Sequence, residues 1–170
     1  LPFITSHLPN LKAVLVNFAY RQQGLIVFPQ NPKRIERIED LARGEITFVN
    51  RQKGSGTRIL LDSCLKGAGI PGSKINGYET EVNTHLEVGL RVLRRLADAG
   101  VGIMAAATVL SLGFVPLRQE RFDILIPKDY FFLNGIQMFL EVLRSNQFRI
   151  RASEFGGYET RDSGKIVYDA

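Results

Sequence analysis

The chain has 170 residues and a mass of 19.1 kDa, enough for one ordinary domain or for one lobe of a two-lobed protein with added elements. Its 45% of hydrophobic and 23% of charged residues are typical of globular proteins, and no apolar run reaches the roughly 18 residues that a membrane span needs. The single cysteine, Cys64, excludes an internal disulfide and a cysteine-based metal site, and His7 and His85 form no zinc-ligand pattern.

The 22 basic and 17 acidic residues give a net charge of +5, which is compatible with a negatively charged partner. The basic residues are scattered along the chain, and the aromatic residues lie inside apolar runs instead of alternating with them. A base-stacking platform is therefore not expected, and we predict no direct nucleic-acid binding.

Apolar periodicity, turn residues and helix caps define the predicted elements. Thr84 with Glu87 predicts a capping box, and Leu86, Leu90, Leu93 and Ala97 predict the buried stripe of the helix that follows. In chain order we predict strands 12–20 and 24–28, helix 34–43, strand 46–50, helix 57–68, strand 75–79, helix 84–97, strand 99–103, helix 105–110, strands 114–117 and 122–126, helix 133–143, a shorter helix to 154, and a polar tail.

The alternation of strands with helices predicts an α/β fold with a mostly parallel sheet and helices on both faces. Ligands of such sheets bind beyond the carboxyl ends of the strands. The segment from Arg51 to Arg58 lies at such an end, between strand 46–50 and helix 57–68, and the turn before Thr84 lies at another.

The segment Arg51-Gln52-Lys53-Gly54-Ser55-Gly56-Thr57-Arg58 predicts an anion-binding turn. Glycines at a helix N-terminus leave backbone N–H groups pointing at one place, where the helix dipole is positive. Two hydroxyls and two arginines can add further hydrogen bonds. The spacing matches neither a nucleotide P-loop nor a dinucleotide fingerprint. A plain N-cap formed by Ser55 or Thr57 is the alternative interpretation.

Catalytic chemistry has little support in the sequence. Ser55 lies outside a nucleophile elbow, and His85 is the only plausible base for it. Asp98 and Asp123 lie beside or within predicted strands, where structural hydrogen bonding is the expected role. We therefore expect no enzymatic activity, no catalytic residues, no cofactor and no bound metal ion.

Several motifs, taken in order, resemble a known family. The motifs are the turn itself, Leu15-Val16-Asn17-Phe18-Ala19-Tyr20-Arg21-Gln22-Gln23-Gly24-Leu25-Ile26, Gly77-Tyr78-Glu79, Thr84-His85-Leu86, Ala97-Asp98-Ala99-Gly100-Val101-Gly102-Ile103, Arg121-Phe122-Asp123-Ile124-Leu125-Ile126-Pro127 and Gly156-Gly157-Tyr158. Together they resemble type II periplasmic-binding-protein-like domains fused to molybdopterin-biosynthesis proteins or to helix-turn-helix regulators. These domains are related to tungstate- and molybdate-binding proteins.

The resemblance implies a type II periplasmic-binding-protein-like fold: a mostly parallel, three-layer α/β/α sandwich lobe with a hinge and C-terminal return helices. Residues 1–170 would form one partial domain, with the second lobe at about 29–115. Residues 12–28 and 116–155 would supply hinge strands and return elements of the first lobe, whose opening segment we expect to be missing.

The resemblance also implies a small tetrahedral oxyanion, molybdate or tungstate, as the ligand in a cleft between the lobes. The alternative is an effector domain of a transcriptional regulator that binds a small organic ligand. A third interpretation is a phosphoryl-handling enzyme. The lack of metal-binding carboxylates near the turn argues against it. By the resemblance, the ligand-binding residues are Ser55, Gly56, Thr57, Arg51, Arg58, Thr84, Tyr20 and Arg21.

The implied partners are a fused DNA-binding or molybdopterin-synthesis domain, or an ABC transporter. We expect a cytoplasmic location, or a periplasmic one for a transport component. With one lobe incomplete, this chain should bind oxyanions weakly, because part of the anion stays in water. Apolar residues of the return segment, Phe131, Phe132, Met138 and Phe139, should favour self-association.

Overall fold

The computed structural model describes residues 12–169. It contains seven strands, six α-helices and two short 3₁₀ helices, at 38–42 and 72–74, within that range. The strands are β1 (Ala13–Val27), β2 (Phe48–Arg51), β3 (Glu81–Val82), β4 (Ala99–Ile103), β5 (Gly113–Pro127), β6 (Tyr158–Glu159) and β7 (Ile166–Asp169). The helices are α1 (Gly56–Gly67), α2 (His85–Leu93), α3 (Met104–Val109), α4 (Lys128–Phe131), α5 (Asn134–Arg144) and α6 (Asn146–Glu154).

The chain divides into two compact units. Unit 1 comprises residues 1–21, 120–154 and 158–170, and unit 2 comprises residues 22–119 and 155–157. The long strands β1 and β5 each contribute one end to each unit. The assignment of residues 29–115 to a second lobe stays a prediction.

Unit 2 is a three-layer α/β/α sandwich. β2 pairs in parallel with β3 and β4, and the second part of β1 pairs antiparallel with β4. Strand side chains alternate between two cores: Leu25 and Phe48 belong to the core under α1 and the first 3₁₀ helix, and Ile26 and Val49 to the core under α2 and α3. This two-sided burial confirms the predicted α/β fold class, with parallel pairing limited to β2, β3 and β4.

Because β2, β3 and β4 are parallel and each is followed by a helix, the N-termini of α1, α2 and α3 all lie at the carboxyl edge of one sheet. This arrangement places the turn at 51–58 and the start of α2 on the edge where α/β proteins bind ligands.

Unit 1 has its own apolar core. The first part of β1 pairs antiparallel with β6 and β7. The core consists of Val14, Val16, Ile126, Leu140 and Leu143, which come from β1, β5 and α5. Of the predicted self-association residues, Phe132, Met138 and Phe139 are exposed, while Phe131 packs against this core. Self-association itself stays a prediction.

Four predicted elements were wrong, three of them because long-range strand pairing overrides local signals. Strands 12–20 and 24–28 are one strand, since Arg21 pairs with Tyr158 of β6 and Gln23 pairs with Ile103 of β4 across the polar stretch. Strands 114–117 and 122–126 are likewise one strand, β5. Helix 34–43 shrinks to the 3₁₀ helix at 38–42, and the polar tail forms β6 and β7.

The predicted strand 75–79 was also wrong. The segment hydrogen-bonds to β2 only through isolated carbonyls, such as that of Asn76, which accepts from the Phe48 N–H at 2.8 Å. Regular pairing begins later, at Glu81, where β3 starts.

The three leucines of the predicted buried stripe of helix 84–97 were wrong as well, whereas Ala97 is buried as predicted. The helix ends at Leu93, because Arg95 adopts a left-handed φ of +58° in a Schellman-type C-cap. Its buried residues are Val88, Gly89 and Val92, and the leucines chosen from the sequence are exposed.

Candidate functional site

The turn between β2 and α1 is held by the N-cap of α1. The Ser55 hydroxyl accepts a hydrogen bond from the Arg58 N–H at 3.2 Å, and the Ser55 carbonyl accepts from the Ile59 N–H at 3.0 Å. Gly54 precedes them with a φ of +88°, a conformation that suits glycine. The N-cap interpretation and the anion-binding interpretation therefore describe the same turn, since capping uses only part of its donors.

The remaining donors of the turn are electrically neutral. Among residues 12–169, no acceptor contacts the backbone N–H groups of Gly56 and Thr57. The Thr57 side chain is only 2% exposed, and within the same described range its hydroxyl has no hydrogen-bond partner. The hydroxyl oxygen is not among the fully buried unpartnered atoms, so it lies at the accessible edge of an otherwise buried residue. Beside two unbonded N–H groups, it can donate to an external acceptor.

Arg58 is built into the protein interior behind this turn. It is 3% exposed, its Nε lies 3.0 Å from Asp62 Oδ1, and its Nη1 lies 2.8 Å from Glu81 Oε1. Its guanidinium also lies over the Tyr78 ring at 4.2 Å. Burial opposes the charge, but the interactions with Tyr78 and Asp62 raise the pKa of Arg58 above its ordinary value. Two carboxylates thus form ion pairs with Arg58 and stabilise its charge.

Glu81 connects this arginine to the turn. Its other carboxylate oxygen accepts from the Lys53 N–H at 3.3 Å. Asp62 accepts a second hydrogen bond, from the Tyr78 hydroxyl at 2.6 Å, and burial first and this bond second raise the pKa of Tyr78. The network fixes the first turn of α1 against β3.

Arg51 joins the turn to the start of α2. It is 8% exposed, and its Nη2 donates to the Asn83 carbonyl at 2.8 Å while its Nη1 lies 2.9 Å from His85 Nδ1. Because a guanidinium can only donate, Nδ1 of His85 is the acceptor in this contact. The single histidine of unit 2 was not among the predicted ligand-binding residues, although it lies in the motif Thr84-His85-Leu86.

Thr84 forms the predicted capping box, which the structure confirms. Its hydroxyl accepts from the Glu87 N–H at 3.1 Å, and Glu87 Oε2 accepts from the N–H groups of Thr84 and Asn83 at 2.9 and 2.8 Å. These backbone hydrogen bonds hold the pKa of the Glu87 carboxyl below its ordinary value. Glu87 therefore already supplies an anion to the N-terminus of α2, in contrast to the open N-terminus of α1.

Tyr20 and Arg21 belong to unit 1 and have partners there. The Tyr20 hydroxyl donates to Asp162 Oδ2 at 2.8 Å, and Arg21 Nε lies 2.7 Å from Glu120 Oε2. Their predicted role at the ligand stays a prediction.

The two aspartates assigned to structural roles do have them. Asp98 Oδ2 accepts from the backbone N–H and the hydroxyl of Thr47 at 2.9 and 2.8 Å. Asp123 accepts from Asn17 and Arg121 at 3.1 and 2.8 Å.

Residues 12–169 contain neither a candidate metal site nor a candidate membrane span. No cluster of three or more metal-ligating side chains occurs there, and His7 lies outside that range. Within the same residues, none of the helices has the length and apolar character that crossing a bilayer requires.

In unit 2, several helix N-termini lie at one sheet edge, and one of them has unused donors. This arrangement is typical of the class of ligand-binding α/β domains. The family model of the PBP superfamily domain matches residues 1–144, and the chain therefore belongs to the PBP superfamily, the periplasmic-binding-protein-like domains. This membership confirms the family predicted from the motifs.

The chain also has relatives in sequence. The chain is 35% identical over 169 residues to the uncharacterized protein YvgK of Bacillus subtilis (strain 168), covering 99% of this chain and 54% of that protein. It is 33% identical over 110 residues to an uncharacterized protein from the ferredoxin 2Fe-2S gene 5′ region of Clostridium pasteurianum, covering 64% of this chain and 97% of that one. The chain thus spans about half the length of the Bacillus relative.

Solved structures share the fold at low sequence identity. A substrate-binding domain assigned to a molybdenum ABC transporter of Clostridium difficile has a TM-score of 0.62 at 15% identity, covering 92% of this chain and 71% of that one. A protein with bound phosphate, assigned to a phosphate ABC transporter of Clostridium perfringens, has a TM-score of 0.63 at 15% identity, covering 84% of this chain and 70% of that one. An ancestral amino-acid-binding protein, AncCDT-1, has a TM-score of 0.60 at 18% identity, covering 89% of this chain and 62% of that one.

Proposed function

We propose that this domain binds a small tetrahedral oxyanion, molybdate or tungstate, at the N-terminus of α1. The observation that carries the proposal is the Thr57 hydroxyl, an accessible donor on an otherwise buried residue that has no partner in residues 12–169, beside two N–H groups that are also unbonded there. Such a cluster of neutral donors suits an anion whose charge is met by the helix dipole. The names of the molybdenum- and phosphate-transporter neighbours support an oxyanion ligand.

In this proposal the residues of the turn have different tasks. Ser55, Gly56 and Thr57 donate to the anion, through hydroxyl and backbone N–H groups. Arg58 and Arg51 position the turn, because the contacts described above draw their guanidinium groups into the protein. Direct contacts of Thr84, Tyr20 and Arg21 with the ligand belong to the proposal as expectations from the family resemblance.

The domain in this proposal binds without catalysing a reaction. The Ser55 hydroxyl serves as the N-cap acceptor, and His85 Nδ1 faces Arg51 instead of a serine. Binding would be sensed by a fused domain or by a transporter. The similarity to an amino-acid-binding protein supports a second candidate, a small organic ligand such as an amino acid.

Thr57→Val tests the proposal because valine keeps the shape and removes the hydroxyl. Without anion, we expect the variant to be about as stable as the wild type, since the Thr57 hydroxyl makes no hydrogen bond within residues 12–169 that would be lost. With anion, loss of one hydrogen bond to a charged group, worth about 1.5 kcal/mol or more, should weaken binding about tenfold or more.

The measurement is thermal unfolding of the 170-residue chain with molybdate, tungstate, sulfate, phosphate and amino acids at rising concentration. Ligand at about ten times its dissociation constant should add about 1.4 kcal/mol of stability. Thr108→Val is the control, because the Thr108 hydroxyl is bonded to the Met104 carbonyl at 3.1 Å, within α3. An equal anion response in wild type and Thr57→Val would contradict the proposed site, and a response to amino acids alone would favour the second candidate.

A further inference from the structure

Helix α2 presents an apolar face that the fold of unit 2 does not cover. Val88 and Val92 are fully buried against the sheet, whereas Leu86, Leu90 and Leu93 are 49%, 37% and 41% exposed. Leu96, which follows the helix, is 61% exposed. We call these four leucines the leucine face. Leu86, Leu90 and Leu93 follow the i, i+4, i+7 spacing of an amphipathic helix, so the helix carries more apolar surface than its own core uses.

The leucine face borders a groove with basic side chains. The groove has a volume of about 420 Å³ and is lined by Val82, Glu87, Leu90, Arg91, Arg94 and Leu96. In residues 12–169, the side chains of Arg91 and Arg94 have neither an ion-pair nor a hydrogen-bond partner. The neighbouring Arg95 differs, because its guanidinium lies over the Phe28 ring at 4.3 Å. Glu87, the acidic member of the lining, is already bonded to backbone N–H groups.

The groove is held in shape by the two ends of α2. The capping box fixes the first turn, and the Schellman-type C-cap bonds the Leu96 N–H to the Arg91 carbonyl at 2.9 Å. This C-cap holds Leu96 and Leu90 on the same groove. A surface that is fixed in this way loses little side-chain and backbone freedom on binding.

We propose that this groove binds an amphipathic helix of a partner protein, with apolar anchors on the leucine face and carboxylates opposite Arg91 and Arg94. The chemistry is that of helix-in-groove recognition, in which apolar residues supply affinity and flanking charges supply orientation.

The charges argue against two other occupants. A second copy of this chain related by a two-fold axis would place the Arg91 and Arg94 pairs of both copies against each other, at an electrostatic cost. A membrane surface is contacted by convex apolar faces with clusters of about four to eight basic residues, whereas this face is concave and has two unpaired arginines.

The test uses a designed helical peptide of about four turns, with leucines on one face and glutamates beside them. Its control is the same peptide with lysines in place of the glutamates. Fluorescence anisotropy of the labelled peptides is measured against the 170-residue chain, with thermal unfolding as the check that each variant is folded. We expect saturable binding of the acidic peptide and at least about tenfold weaker binding of the basic one.

Two pairs of substitutions separate charge from apolar contact. Arg91→Glu with Arg94→Glu should weaken the acidic peptide at least about tenfold and strengthen the basic one, whereas Arg118→Glu, at an exposed arginine of β5, should change neither. Leu90→Gln with Leu96→Gln should weaken the acidic peptide by a similar factor, because the anchors lose their apolar contact.

Several results would overturn the proposal. They are absence of saturable peptide binding, equal binding of the acidic and basic peptides, and unchanged binding in the Arg91→Glu, Arg94→Glu variant. Capture by phosphatidylcholine–phosphatidylserine vesicles in place of the peptide would assign the face to a membrane. A dimer in sedimentation that Leu90→Gln with Leu96→Gln dissociates would assign it to a second copy.

Discussion

Arg58→Met removes a guanidinium and keeps most of the side-chain volume, so it isolates the contribution of the charge at the start of α1. The wild-type side chain forms ion pairs with Asp62 at 3.0 Å and Glu81 at 2.8 Å, and lies over Tyr78. We expect the variant to be less stable and still responsive to anions, because in our proposal Arg58 positions the turn and makes no contact with the ligand.

The expected loss follows from the burial of the partners. Removing one member of a fully buried ion pair costs about 3 to 5 kcal/mol. Here Arg58 is 3% exposed, but the side chains of Asp62 and Glu81 are 44% and 28% exposed and regain water when the arginine is removed. Methionine also retains apolar contact with Tyr78. We therefore expect a loss of about 2 to 3 kcal/mol in the free energy of unfolding.

For a chain of this length, about 3 °C of melting temperature corresponds to 1 kcal/mol, so the expected decrease is about 6 to 9 °C. The assay is thermal unfolding monitored by circular dichroism, with and without molybdate. Arg58→Lys serves as the matched control, because it keeps the charge without the two-pronged geometry and should recover part of the stability. A variant Arg58→Met that melts with the wild type but no longer responds to anions would refute this reasoning and make Arg58 a ligand-binding residue.

Two further substitutions test the elements that hold the site edge. Gly77 has a φ of +93°, and a Cβ there would collide with the Phe48 carbonyl of β2. Gly77→Ala should therefore lower the free energy of unfolding, measured by chemical denaturation, by at least about 2 kcal/mol. The control Gly44→Ala, where a Cβ would meet open space, should be neutral or mildly stabilising. The pKa of Glu87 is lowered in the folded state, so its contribution to stability is complete above its ordinary value of 4.5 and is lost as the pH falls through the lower value. Melting temperatures should therefore fall more steeply in acid for the wild type than for Glu87→Gln, and parallel curves would contradict this role.

Local sequence patterns were enough to predict structure where the stabilising contacts join residues that are close in sequence. Thr84 and Glu87 could be paired from their spacing, because a capping box is formed within one helical turn. The glycine-serine-glycine-threonine turn could likewise be placed at the N-terminus of α1. The family could be inferred because its motifs recur in the same order along most of the chain.

Prediction from sequence failed where a partner that is distant in sequence determines the conformation or the burial of a residue. The polar stretch at 21–23 has the composition of a turn, but β4 and β6 pair with it and keep it extended. Helix α2 offers two apolar stripes, and only its packing on the sheet shows that Val88 and Val92 are inside and the leucines outside. The roles of Arg51 and Arg58 depended on His85, Glu81 and other residues that are far away in sequence.

Burial also changes the meaning of the basic net charge. In the sequence the arginines of the turn and those of helix 84–97 contribute equally to the charge of +5. In the structure, Asp62 and Glu81 hold the Arg58 charge, while Arg91 and Arg94 have no ion-pair partner within the described residues. In our proposal, recognition of an anion by the turn depends on neutral donors and the helix dipole, which act over short distances. The exposed arginines of α2 act at longer range and are screened by salt beyond about 8 Å, as suits association with an acidic partner.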